Sequence, residues 1–183
     1  MKVDVEKEAV LQMAKEMLVA ARTAPKGKGI DSLVTYILDD NEKEILATDM
    51  EKLAEKNGAF FIRDAGNIRN SDVVTLIGLK NSKPLGLNCG ACGTNCAGFA
   101  EKKNEKSKNP PASFDGPICA VKSVDLGIAL GSAVSRAKDM CLDSRILYSA
   151  GATACITKMI DAEYAFAVPL SVSGKNIYFD RKQ

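Results

Sequence analysis

The 183-residue sequence contains no histidine and no tryptophan. Without imidazole there is no Ser-His-Asp or Cys-His nucleophile. A His-ligated haem, a Rieske-type cluster and any zinc site that needs a His ligand are excluded with it. Aromatic residues are scarce, at 5% of the chain, too few for a stacking platform for single-stranded nucleic acid. The formal net charge is +2, which leaves no electrostatic footprint for a polyanion, so no nucleic acid partner is expected. Long hydrophobic runs are missing too. The most apolar stretch, Ile118 to Val134, is interrupted by Lys122 and Asp125 and rich in Gly and Ser, so no membrane span is expected. The opening Met1-Lys2-Val3-Asp4-Val5-Glu6-Lys7-Glu8 has no apolar signal core, and a cytoplasmic location is the expectation.

What is present is a chain 46% hydrophobic and 26% charged, with six cysteines. The length suits a single domain over residues 1–183, able to bury its core without disulfides. Val10, Met13, Ala14, Met17, Leu18 and Ala21 recur on one helical face, and Ala24-Pro25 stops that helix. After the cationic turn Lys26-Gly27-Lys28-Gly29, residues 32–38 read as a strand. Asn41, with Glu44 three residues on, is the expected cap of a second helix ending at Asn57-Gly58. Phe60-Phe61-Ile62 reads as a short strand or a packed loop, and 64–71 as a turn. Val73–Leu79 reads as a strand buried on both faces.

Residues 80–117 form an irregular insertion, within which the charged run Glu101 to Lys108 reads as a solvated loop. A helix from Ser123 to Met140 follows. Gly127, Gly131 and Ser135 give it a smooth face suited to core packing or a dimer seam. A further helix is expected after Asp143 or Ser144. Ala165–Val172 reads as a strand that Pro169 confines to an edge or a bend, and Ile177–Phe179 as a last short strand. The order of elements is that of a layered α/β or α+β domain.

Cys89, Cys92 and Cys96 lie as C-x2-C-x3-C, and Cys119 follows in Gly116-Pro117-Ile118-Cys119. Three close thiolates plus a distant fourth are how chains wrap a [4Fe–4S] cubane. Gly90 and Gly93 let the backbone turn tightly around it. Four thiolates on a structural zinc ion are the alternative, although zinc ribbons usually pair two C-x2-C knuckles. Cys141 and Cys155 stand apart and read as small buried apolar residues. The segment from Arg22 through Lys26, Gly27 and Lys28 could hold a phosphate through its cations and free amides, or serve as a solvated connector. No P-loop or dinucleotide fingerprint occurs, and no residue is singled out as catalytic.

Several motifs together carry a resemblance. They are Cys-Gly-x-Cys-Gly-x-x-Cys at 89–96, Gly-Pro-x-Cys at 116–119, Asp-Leu-Gly-Ile-Ala-x-Gly-Ser-Ala-Val-Ser at 125–135, Arg145-Ile146-x-Tyr148, Pro169-Leu170-Ser171, Ser173–Ile177 and Phe179-Asp180-Arg181. The sequence resembles the uncharacterised prokaryotic proteins that contain a ferredoxin domain, which implies an iron–sulfur cofactor and electron transfer. The first helix, Ala24-Pro25, the glycine turn and Asp125–Ala129 are similar to flavin-dependent nitroreductases. That likeness implies an α+β fold with a layered mixed sheet, an intimate homodimer and FMN at its interface. It also implies a cysteine-rich insertion at about 80–120 as an addition to the fold. The asparagine and glutamine that contact flavin in that family fall at Gly29 and Asp31 here. The redox partner, a protein or a small molecule, is left open.

Overall fold

The computed structural model describes residues 4–105, 113–114 and 116–179. Asp4 caps helix α1 (Val5–Thr23), its carboxylate accepting from the Lys7 amide at 3.1 Å. Val10, Ala14, Met17 and Ala21 form its buried face, as their spacing requires. Strands β1 (Leu33–Leu38), β2 (Val73–Leu79), β3 (Asp143–Ser144) and β4 (Tyr164–Ser171) form one sheet in the order β1-β2-β4-β3.

Alternation along the central strands divides two cores. Val73, Ile77 and Leu79 of β2, with Val168 and Leu170 of β4, face α1 and helix α5 (Ala120–Asp139). Val74, Leu76, Ala165 and Ala167 face the other way. There they meet helices α2 (Asp40–Asn57), α3 (Phe60–Arg69) and α6 (Tyr148–Ile156). The result is an α+β sandwich of helices on both faces of a sheet. The three strand pairings are antiparallel, where a mixed sheet was expected. For β1 and β2 the reason lies in α2 and α3, an out-and-back pair that returns the chain to the sheet at the end where β1 left it.

Local features differ from the sequence expectation where tertiary packing decides. The cap of α2 is Asp39, not Asn41: its carboxylate accepts from the Glu42 amide at 2.8 Å, and the Asp39 amide in turn donates to Glu42 Oε2 at 2.9 Å. Both pairs have capping-box spacing, and the one next to the strand end wins. Residues 60–69 are helical rather than strand and turn, because Phe61, Ala65 and Ile68 recur at helical spacing and all are fully buried. A further helix, α4 (Cys96–Asn104), lies inside the insertion, anchored by the buried Phe99. The expected solvated loop is therefore the end of α4 as far as 104, and its residues 106–108 lie outside those described.

Helix α5 starts earlier than Ser123, with Cys119 at its N-cap position. Asp143 and Ser144 form β3 instead of capping α6. Pro169 sits in an interior strand. Ala167 exchanges bonds with Leu147 at 3.1 and 2.8 Å, so by alternation the Pro169 nitrogen faces the gap beyond the two-residue β3, where no partner needs its missing N–H. Residues 177–179 form a turn, not a strand. Tyr178 is buried there, with its hydroxyl 3.0 Å from Ser71 Oγ.

Candidate metal centre and the adjoining turn

β2 leads into Lys80-Asn81-Ser82, and the segment 83–95 has no helix or strand. Asn88, Gly90 and Gly93 take left-handed conformations, with φ of 50°, 72° and 78°. Glycine does so freely and asparagine at small cost. Asn88 closes this loop on itself. Its N–H donates to Cys96 Sγ at 3.3 Å, and its Oδ1 accepts from the Cys96 amide at 3.1 Å. Cys96 opens α4 behind Asn95, whose Oδ1 accepts from Gly98 N–H at 2.8 Å. The Cys119 amide donates to Ser82 O at 3.2 Å. Two of the four thiols, those of Cys96 and Cys119, thus sit at helix N-termini.

Cys89 is exposed, Cys92 and Cys96 are partly buried, and Cys119 is buried. Among the described residues no three Cys, His, Asp or Glu side chains lie close enough together to hold a metal ion. The fold ties Asn88 to Cys96 and Ser82 to Cys119, and leaves Cys89 on the open loop. Of the other two cysteines, Cys155 is buried as expected, whereas Cys141 is exposed, with φ of 63°.

Residues that sequence reasoning did not single out hold this region together. Lys103 Nζ donates to Glu163 Oε2 at 2.6 Å and to Ser82 Oγ at 2.8 Å. The Ser82 amide reaches the same Glu163 oxygen at 3.1 Å, and the Ser82 hydroxyl is bonded to it as well. Burial would raise the Glu163 carboxyl, but the Lys103 and Ser82 bonds outweigh it and hold the pKa below the ordinary value. In sequence Lys103 belongs to an unremarkable charged run. Only Asn88, placed immediately before Cys89, carried a local signal.

The Arg22–Lys28 turn is occupied by the protein itself. Arg22 Nη1 donates to Asp31 Oδ2 at 2.6 Å and to Leu33 O at 2.9 Å. Burial would raise the Asp31 carboxyl, but the Leu33 amide and Arg22 overcome that and lower it. Lys26 Nζ caps the carbonyls of Arg22 and Ala24, each at 2.6 Å. The Gly27 amide donates to Asp125 Oδ1 at 2.8 Å, and Lys28 Nζ to Leu85 O at 3.0 Å. A Cβ on Gly27 would lie 2.7 Å from Leu85 Cδ1 and 3.1 Å from Val121 Cγ1 of α5, so those side chains would have to shift to admit one. Lys122, beside Asp125 on the same helix face, holds Ile30 O and Ser32 Oγ, each at 2.8 Å. An incoming phosphate would meet the carboxylates of Asp31 and Asp125. Arg22, Lys26, Gly27 and Lys28 each bond within the chain.

Beyond the first turn of α5 lies an open cleft of about 610 Å³, bordered by Phe114, Ile118, Tyr148 and Tyr164. Phe114 meets the rings of Tyr148 and Tyr164 edge to face, at centroid distances of 5.4 and 4.6 Å. Burial and the neighbouring Tyr148 raise the Tyr164 phenol above its ordinary pKa.

The profile of a family described as uncharacterised proteins containing a ferredoxin domain matches residues 115–181. The match includes Cys119 but not the three clustered cysteines. A protein of Archaeoglobus fulgidus, itself uncharacterised, is 43% identical over 178 residues, covering 97% of this chain and 95% of its own. The fold is shared with a BluB-like flavoprotein from Clostridium difficile 630, at 18% identity and a TM-score of 0.55, covering all of this chain and 88% of that one. It is shared too with an FMN-dependent nitroreductase from Clostridium difficile R20291, at 19% identity and a TM-score of 0.53, covering 96% and 80%. Longer proteins of the same fold extend well past it: the chain covers 60% of the NADPH:FMN oxidoreductase of Vibrio harveyi (TM-score 0.55, 9% identity). Near-complete coverage of the Archaeoglobus relative and the profile match over 115–181 lead to one conclusion: the chain belongs to the family of uncharacterised proteins that contain a ferredoxin domain, built on the nitroreductase fold.

Proposed function

We propose that this is an electron-transfer protein in which Cys89, Cys92, Cys96 and Cys119 hold an iron–sulfur cluster of the [4Fe–4S] type. The observation that carries the reading is the Asn88 amide directed at Cys96 Sγ, the kind of N–H···S bond that orients and tunes a cluster thiolate. The chemistry of the donor set fits: four thiols, no imidazole, and two of the sulfurs at helix N-termini. When bound, such a cluster supplies one-electron transfer. The chain's own residues fix Cys96 through Asn88 and Cys119 through Ser82. Cys89 and Cys92 would be drawn in as the cluster binds, as is usual where metal binding and local folding are coupled.

Pairing with a second copy of the chain belongs to the same reading. Val124, Gly127, Ile128, Gly131 and Ser135 of α5 are exposed on one face, and a Cβ on either glycine would meet nothing within 4 Å. That is room for a close helix–helix approach. The flavin reading is supported by the fold shared with an FMN-dependent nitroreductase. On that reading Arg22, Lys26, Gly27 and Lys28 hold the phosphate, each exchanging a bond within the chain for it.

The test is the visible spectrum of anaerobically purified protein before and after dithionite, with iron and sulfide analysis. Broad brown absorption that bleaches supports the cluster. A colourless protein with one zinc per chain refutes it in favour of a zinc-stabilised binding domain. A structured yellow spectrum that survives gel filtration establishes flavin. Cys92→Ser is expected to lose the iron, and unchanged iron content in that variant would refute the ligand assignment.

A further inference from the structure

We infer that α4 is a strut that fixes the separation between the three-cysteine loop and Cys119, with Lys102 and Lys103 as positioning residues for the centre. The inference rests on the cluster reading above. Lys102 and Lys103 are adjacent on a helix, so their side chains diverge by roughly 100°. Lys102 Nζ donates to Gly93 O at 3.1 Å, in the loop between Cys92 and Cys96. Lys103 turns the other way, to Ser82 Oγ and Glu163 Oε2.

Ser82 is the junction. It is fully buried, its hydroxyl and amide both bond to Glu163, and its carbonyl receives the Cys119 amide at 3.2 Å. An unbroken path of hydrogen bonds and backbone therefore runs from the loop at Gly93, through α4, to the fourth thiol. The strut is seated independently of its lysines, since Phe99 is 1% exposed in the core. Lys103 and Glu163 are only about a quarter exposed, at 25% and 28%, so solvent screens them less than a surface pair. The arrangement explains why a lysine-rich run forms an ordered helix beside the cysteines: the lysines are cross-braces. Partners that orient metal ligands from behind typically change metal affinity by about 10–100-fold.

The experiment uses the reconstituted holoprotein and follows loss of visible absorption in excess ferrous chelator, together with the midpoint potential. Lys103→Met and Glu163→Gln are expected to release iron about tenfold faster than wild type and to shift the potential. Lys103→Arg, which preserves the charge and its donors, restores most of the retention. Lys102→Met, which cuts only the Gly93 bond, gives an intermediate rate and serves if the Glu163 variant fails to fold. Lys80→Met removes the exposed pair with Asp161 and should leave both readouts unchanged. Loaded wild type with Lys103→Met and Lys102→Met releasing iron at the wild-type rate overturns the strut. So does equal acceleration by Lys80→Met, which would signal general destabilisation. Wild-type protein that takes up no iron overturns the cluster reading itself, a result distinguishable from either.

Discussion

Replacing Gly151 by alanine tests the packing that holds α6 on the sheet. A Cβ built there would lie 2.1 Å from Ala165 O and 2.4 Å from Phe166 Cα, both backbone atoms of β4. Ordinary contact begins at 3.4 Å, so α6 must retreat by about 1.3 Å. A gap of about 0.5–1 Å already forfeits a quarter to a half of each dispersion contact, and Ala150, Ala154 and Leu147 would all lose theirs against the core. Overpacking costs about 1–3 kcal/mol where side chains can yield. Here only backbone can move, so about 3 kcal/mol or more is expected. At about 2–4 °C per kcal/mol for a chain of this size, the Tm should fall by about 6–12 °C. Gly66, mid-helix in α3, has nothing within 4 Å of its Cβ position. There alanine should raise stability by about 0.5–1 kcal/mol through helix propensity and a less mobile unfolded chain. Thermal and urea unfolding followed by far-UV circular dichroism measure both. A Gly151→Ala protein as stable as wild type, or the same sign at the two sites, would refute the reasoning.

Gly127→Leu or Gly131→Leu fills open space on α5, so the unfolding midpoint should hold while the proposed pairing of two copies, followed by sedimentation, is lost; a dimer retained in both variants rejects that face. Tyr178 is buried and bonded to Ser71, and desolvation together with Asp72 and Asp143 pushes its phenol well above the ordinary tyrosine range. The folded state therefore keeps the proton while the unfolded chain releases it from about pH 10 upward. The stability contributed by Tyr178 is complete below that pH and declines as pH rises above it. Urea titrations between pH 8 and 11 should show this decline in wild type and a shallower one in Tyr178→Phe, and identical slopes would contradict it.

Parts of this protein are decided by local pattern. The apolar spacing of α1, the stop at Ala24-Pro25 and the apolar run of β2 each follow from a rule that acts over a few residues. So does the grouping of Cys89, Cys92 and Cys96, and the absence of histidine narrows the chemistry before any fold is known. The helix at 60–69 was legible only in retrospect. Its Asp, Gly and Asn residues carry turn propensity, and burial of Phe61, Ala65 and Ile68 against α2 and the sheet overrides it. Pro169 misleads for the same reason: its cost depends on whether a neighbouring strand needs the N–H, and β3 is too short to need it.

The Arg22–Lys28 turn shows the limit most plainly. From sequence its cations and amides could take a phosphate or belong to a solvated connector. In the fold Asp125, 98 residues away from Gly27, takes that amide, and Asp31 takes Arg22. The strut from Gly93 to Cys119 likewise depends on Glu163, 60 residues beyond Lys103. Sequence sets which groups can donate and accept. Which partner each one meets is a property of long-range packing, because a hydrogen bond is decided within about 3 Å, and only the tertiary structure brings distant residues that close.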